Sequence, residues 1–138
     1  MNAKNSLSPE ILGKVANLAD LVACSPGAVV SKTLIDLPAG TITIFSFDAG
    51  QGLSEHKAPY DAFVEIIEGQ ATIRIGQKEL VVSSGEAVIM PANVPHALSA
   101  PVPFKMLLVM IRSRKNKEAK KKVQPNKKIN KKRAYKLS

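Results

Sequence analysis

The chain has 138 residues, 45% of them hydrophobic, with no tryptophan and one cysteine, Cys24. That is enough for one domain with its own core, and a lone cysteine excludes an intrachain disulfide. The formal net charge of +9 is unevenly placed: residues 112–138 hold 13 Lys+Arg against Glu118 alone, +12, so residues 1–111 hold 7 Lys+Arg and 10 Asp+Glu, −3. No apolar run approaches the ~20 residues that span a bilayer. Lys4, Glu10, Lys14 and Asp20 interrupt the first 25 residues, which therefore lack the apolar core of a secretion signal, and the expected compartment is the cytoplasm.

Ser8-Pro9 is a helix-start signal, and Ile11, Leu12, Val15, Leu18, Ala19 and Val22 recur at helical spacing up to Ser25-Pro26-Gly27. The spacing predicts a short N-terminal helix within an extension over 1–27, lying against a barrel or in a subunit contact. From Val29 the period changes to two. Strands are expected over 29–37, 41–48, 63–67, 71–75, 79–82, 87–90, 97–100 and 104–111. Turn residues such as Pro38-Ala39-Gly40 and Glu68-Gly69-Gln70 separate them. Short strands at this interval predict an all-β sandwich or closed barrel over 28–112. The lysine-rich stretch over 113–138 cannot bury enough surface to offset its ordering entropy and reads as a disordered basic tail.

Two glycine-led segments carry the chemistry. Gly50 is followed after five residues by His56, and Gly69 closes that segment. In the second, Gly85 is followed after five residues by Pro91, and His96 completes it. This spacing, with phrases such as SEHKAPYDA and IMPANVPHAL, resembles the two motifs of small single-domain bacterial cupins. The resemblance covers roughly residues 28–111 and implies a double-stranded β-helix, or jelly roll, that forms homodimers. It also implies a site of three His and one Glu for Zn, Fe, Mn or Ni. In this sequence Ala58 stands where the second His of the first motif belongs, and Ala62 where its Glu belongs. In the second motif Asn93 replaces a Gly and Ala100 an Asn. Strand alternation turns residues 56 and 58 to one face, so Ala58 offers a methyl group where a ligand is expected. A third ligand would have to come from Glu55, Asp61 or Glu65; the last two have the wrong strand parity.

The remaining residues have plainer readings. Met106 and Met110 share one strand face and read as pocket wall or core; Phe45, Phe47, Phe63 and Phe104 read as packing. Tyr60 neighbours His56, and some metal-free cupins pair a His base with a Tyr acid, an analogy only. Cys24 has no activating His or Lys motif beside it. The expected function is that of a degenerate, non-enzymatic cupin with a depleted metal site, binding a small polar or acidic ligand as a homodimer. No cofactor, or a weakly held divalent metal, is expected. The alternatives are a metal-dependent isomerase or dioxygenase with a reduced ligand set, and a protein held to nucleic acid or another polyanion through its tail without sequence preference.

Overall fold

A computed structural model describes residues 5–113 of the chain. The basic tail expected from 113 onward lies, beyond Ser113 itself, outside the described residues. Ten strands make up the fold: β1 (Ser6–Leu7), β2 (Val29–Leu37), β3 (Gly40–Phe47), β4 (Gly52–His56), β5 (Tyr60–Glu68), β6 (Gln70–Ile75), β7 (Lys78–Ser83), β8 (Ala87–Met90), β9 (His96–Ser99) and β10 (Phe104–Arg112). They form two antiparallel sheets, ordered β1-β2-β3-β10-β5-β8 and β4-β9-β6-β7.

Alternation along the strands explains the interior. Ala62, Val64 and Ile66 of β5 are buried at every second position; Ile73 of β6, Leu98 of β9 and Met106 of β10 belong to the same cluster. Phe45, Phe47 and Phe104 stack within it, with ring centroids 5.7 and 4.5 Å apart. Phe63 has the opposite parity and is exposed on the outer face, so it is not the packing residue that the sequence predicts.

The N-terminal segment covers the back of the larger sheet, as the apolar spacing predicts, but without the continuous helix. β1 pairs with the edge of β2, and the pairing runs on through Ser8 N–H donating to the Leu34 carbonyl at 2.8 Å. A turn follows, and then a single 3-10 turn, Leu18–Leu21, capped by the Asn17 side chain. Gly13 sits in the left-handed region, φ +71°, which ends any helix begun at Ser8. Ile11, Leu18 and Val22 pack with Leu34 and Ile44 in a second small core. Leu12 and Val15 belong to the same helical stripe and lie exposed. β3 is therefore covered on both faces, Phe45 and Phe47 inward and Ile42 and Ile44 beneath the segment.

Gly69 turns β5 into β6 at φ +81°, and a Cβ there would stand 2.2 Å from the Pro103 carbonyl oxygen. Gly85 has a similar φ of +88° with open space around it. Gly85→Ala is expected to cost only the left-handed strain, about 1–2 kcal/mol. Gly69→Ala adds a backbone collision to the same strain. Thermal denaturation of the two variants should show a clearly larger drop for Gly69→Ala, and equal drops would contradict the close approach of Pro103.

Candidate functional site

The two histidines meet because β4 and β9 are paired in register, with His56 opposite His96. Their ring centroids are 4.5 Å apart at an interplanar angle of 70°. Each ring is tied by Nδ1 to a carbonyl two residues back on its own chain: His56 to Ser54 at 2.9 Å and His96 to Val94 at 3.2 Å. A carbonyl only accepts, so Nδ1 carries the proton in both rings, and Nε2 of the neutral imidazole is the lone-pair nitrogen. His96 is buried and His56 exposed. Burial is the main reason the His96 pKa lies below its ordinary value of 6.5; the Val94 carbonyl opposes that shift, and the neighbouring His56 adds to it.

The facing wall comes from the other sheet. β5 lies between β10 and β8, and Ala62 stands opposite Met110 on one side and Met90 on the other. His56, His96, Ala58, Ala62, Tyr60, Met106 and Met110 all line one partly enclosed pocket, as do Met90 and Leu98. Motif spacing points to neither Met90, which enters through its register with Ala62, nor Leu53, Leu98 and Leu108. Arg112 stands outside the lining: it pairs with Tyr60 at the strand end, donates from Nη2 to the Tyr60 hydroxyl at 2.9 Å, and stacks its guanidinium 4.9 Å from the ring centroid. Tyr60 is therefore engaged by an arginine, and the acid–base partnership with a histidine has no hydrogen bond to support it.

The three carboxylates weighed as a third ligand stand elsewhere. Glu55 is paired with Arg74 at 2.6 Å. Asp61 accepts from the Ala92 N–H at 2.8 Å and braces the loop before His96. Glu65 alternates with the buried Val64 and Ile66 and belongs to the outer face. In that same loop Asn93 adopts φ +62°, and its N–H donates to the Ala58 carbonyl at 2.8 Å. Asparagine is among the non-glycine residues that tolerate this region best, so the turn survives the loss of the motif's glycine.

The Cupin domain family profile matches residues 43–111. A Streptococcus pyogenes protein of unknown function is 37% identical, over 83% of this chain and 100% of that one, with a TM-score of 0.75. The chain belongs to the cupin family. A cupin 2 conserved barrel domain protein from Leptotrichia buccalis is 40% identical over 70% of this cupin, which spans only 47% of that chain, with a TM-score of 0.69. A cupin superfamily protein from Desulfitobacterium hafniense is 25% identical over 78% of this chain and 99% of its own, with a TM-score of 0.74. No protein of curated function matches.

The donors present do not fit the metal set that the family resemblance implies. No group of three or more His, Cys, Asp or Glu side chains gathers among the described residues. The pocket offers two imidazoles, with methyl groups at Ala58 and Ala62.

Two outcomes are expected from this geometry. Ala58→His with Ala62→Glu brings a third imidazole and a carboxylate to the pocket beside His56 and His96. The double variant should bind Zn²⁺ or Ni²⁺ at about one per chain and gain melting temperature with metal. The displaced pair Lys57→His with Phe63→Glu should not, because alternation turns those positions away. The second outcome concerns pH. Between 6.5 and the lowered folded value of His96, the unfolded chain holds a proton that the folded chain does not. Stability should therefore fall as pH drops below about 6.5 and level off below the folded value. The slope of melting temperature against pH should be shallower in His96→Gln, and an unchanged slope would remove His96 as the cause.

Proposed function

We propose that this cupin is a binding protein for a small acidic or polar molecule, and that its pocket is a metal site that has lost two ligands. The observation that carries the reading is the distribution of polar groups around the pocket. Two imidazoles stand on one wall with Nε2 free of intramolecular hydrogen bonds among the described residues, and Tyr60 lines another edge, with the exposed Arg112 bonded to its hydroxyl outside the lining. Methyl groups, thioethers and the leucine side chains of Leu53, Leu98 and Leu108 fill the rest. A few convergent polar groups in an apolar concavity is the usual make-up of a small-ligand site. The guanidinium supplies a permanent positive charge suited to a carboxylate or phosphate. Binding is favoured over metal-dependent catalysis because Ala58 and Ala62 contribute no donor where the family places an imidazole and a carboxylate. The reading includes a second copy of the chain: Phe63 and Ile89 are register partners on the outer face, both exposed, and adjoining apolar side chains of this kind suit a subunit contact.

Calorimetry of the full chain against a panel of small carboxylates and phosphate esters tests the reading. At least one class is expected to bind saturably at one per chain. Arg112→Ala should weaken it about 10-fold or more, the loss of one charge-assisted contact, while the melting temperature stays near that of the parent. Binding to no member of the panel, or binding indifferent to both Arg112→Ala and His56→Ala, would sink the proposal.

A further inference from the structure

The outer face of the larger sheet carries a row of apolar side chains that crosses all six of its strands. Register places Leu7 of β1 opposite Ile35 of β2, and Ile35 opposite Ile42 of β3. Val109 of β10 lies between Ile42 and Phe63 of β5, and Phe63 stands opposite Ile89 of β8. Directly opposed residues turn their side chains to the same face, so the row is continuous, about 24 Å long at about 4.8 Å per strand. Leu7, Phe63 and Ile89 are exposed at 46%, 40% and 63%. The N-terminal segment covers the adjoining row, where Ile44 is fully buried and Leu107 packs with it, but leaves Phe63 and Ile89 open.

The two ends of the row differ in shape. At the β1–β3 end, Leu7, Leu12 and Gly13 on one bank and Leu34, Ile35 and Ile42 on the other border an apolar groove of about 280 Å³. At the β5–β8 end, Phe63 and Ile89 project from the sheet. A surface with its cleft at one end and its projections at the other, turned end for end, fits a copy of itself.

We infer that this face joins two copies of the chain about a two-fold axis parallel to the strands and lying between β3 and β10. The inference rests on the second copy included in the binding reading and assigns that copy its seat. The axis exchanges β5 with β2 and β8 with β1. Phe63 of each copy then enters the groove at Ile35 of the other, and Ile89 meets Leu7. The charges beside the row select this axis over its alternative. Glu65 shares the next row with Lys32, through Leu107 and Ile44. Exchange of β5 with β2 therefore sets Glu65 over Lys32, opposite in sign. An axis along the row would lay β5 on β5 and set Glu65 over Asp61, two carboxylates, and like charges so placed oppose association. The pocket is left open, because Ala62, Met90 and Met110 alternate with Phe63, Ile89 and Val109 and face the other way.

Light scattering and sedimentation equilibrium of the full chain test this, with a reductant present because Cys24 is exposed. Twice the mass of one chain is expected at micromolar concentration. Phe63→Glu with Ile89→Glu places two charges in the apolar contact and should raise the dimer Kd about 30-fold or more. Val81→Glu, at an exposed apolar position of the smaller sheet, should leave the dimer intact. If circular dichroism shows the double variant unfolded, Phe63→Glu alone is measured. At low ionic strength Glu65→Lys should weaken the dimer about 2- to 5-fold, and adding Lys32→Glu should restore it. A monomeric parent, a dimer indifferent to Phe63→Glu, or a dimer tightened by Glu65→Lys would overturn the inference. Calorimetry of the pocket reads the opposite face of the sheet, so a panel without ligands leaves the dimer result standing, and a monomeric chain leaves the ligand result standing.

Discussion

The register of β5 between β10 and β8 is the constraint on which the rest depends. Its residues alternate between the interior and the outer face, with Ala62, Val64 and Ile66 inside and Phe63 and Glu65 outside. A slip of one residue would exchange the two sets, placing a carboxylate in the core and three apolar side chains in water. Burial therefore enforces the register strongly. The same register puts Ala62 opposite both Met90 and Met110 and brings Tyr60 against Arg112. The chemistry of one pocket wall follows from the packing of a strand that makes no other polar contribution to it.

The second sheet fixes the other wall by a different means. β4 is an edge strand, mostly exposed, and interior packing holds it less firmly than β5. Its position is set by pairing to β9, by Gly50 N–H donating to the Ala100 carbonyl and Ala100 N–H donating to the Gln51 carbonyl, and by the Asn93 link to Ala58 just beyond it. Backbone hydrogen bonds therefore do more of the holding at β4 than at β5. His56 sits on this less buried edge strand, whereas His96 sits on β9 beside the buried Leu98.

Much of this was legible in the sequence, for reasons that differ by element. The bounds of β2 and β8 were readable to the residue, since turn residues and a period of two delimit them. β4 was missed because Gly-Leu-Ser-Glu-His lacks the apolar alternation of a half-buried strand; its exposure explains that composition. The apolar spacing predicts an N-terminal helix where the structure has a turn, because a segment draped over a sheet also needs apolar residues every three or four positions, and periodicity alone does not tell the two apart. Gly13 was the signal against it. In the pocket, the gathering of His56, Ala58, Ala62 and His96 followed from motif spacing and parity. The placement of Met90 did not, because it reaches the pocket through pairing with a strand distant in sequence.

The carbonyl contacts of Ser54 and Val94 have a consequence for binding entropy. Each imidazole is anchored to a carbonyl two residues back, Ser54 within β4 for His56 and Val94 just before β9 for His96, so its rotamer is set when the local backbone forms. Immobilising a side chain at a binding interface costs about 0.5–1.5 kcal/mol. For these two rings most of that cost has already been met in folding. Whatever enters the pocket meets a preorganised pair of nitrogens, and its affinity depends on how well it matches their fixed separation rather than on its power to draw them together.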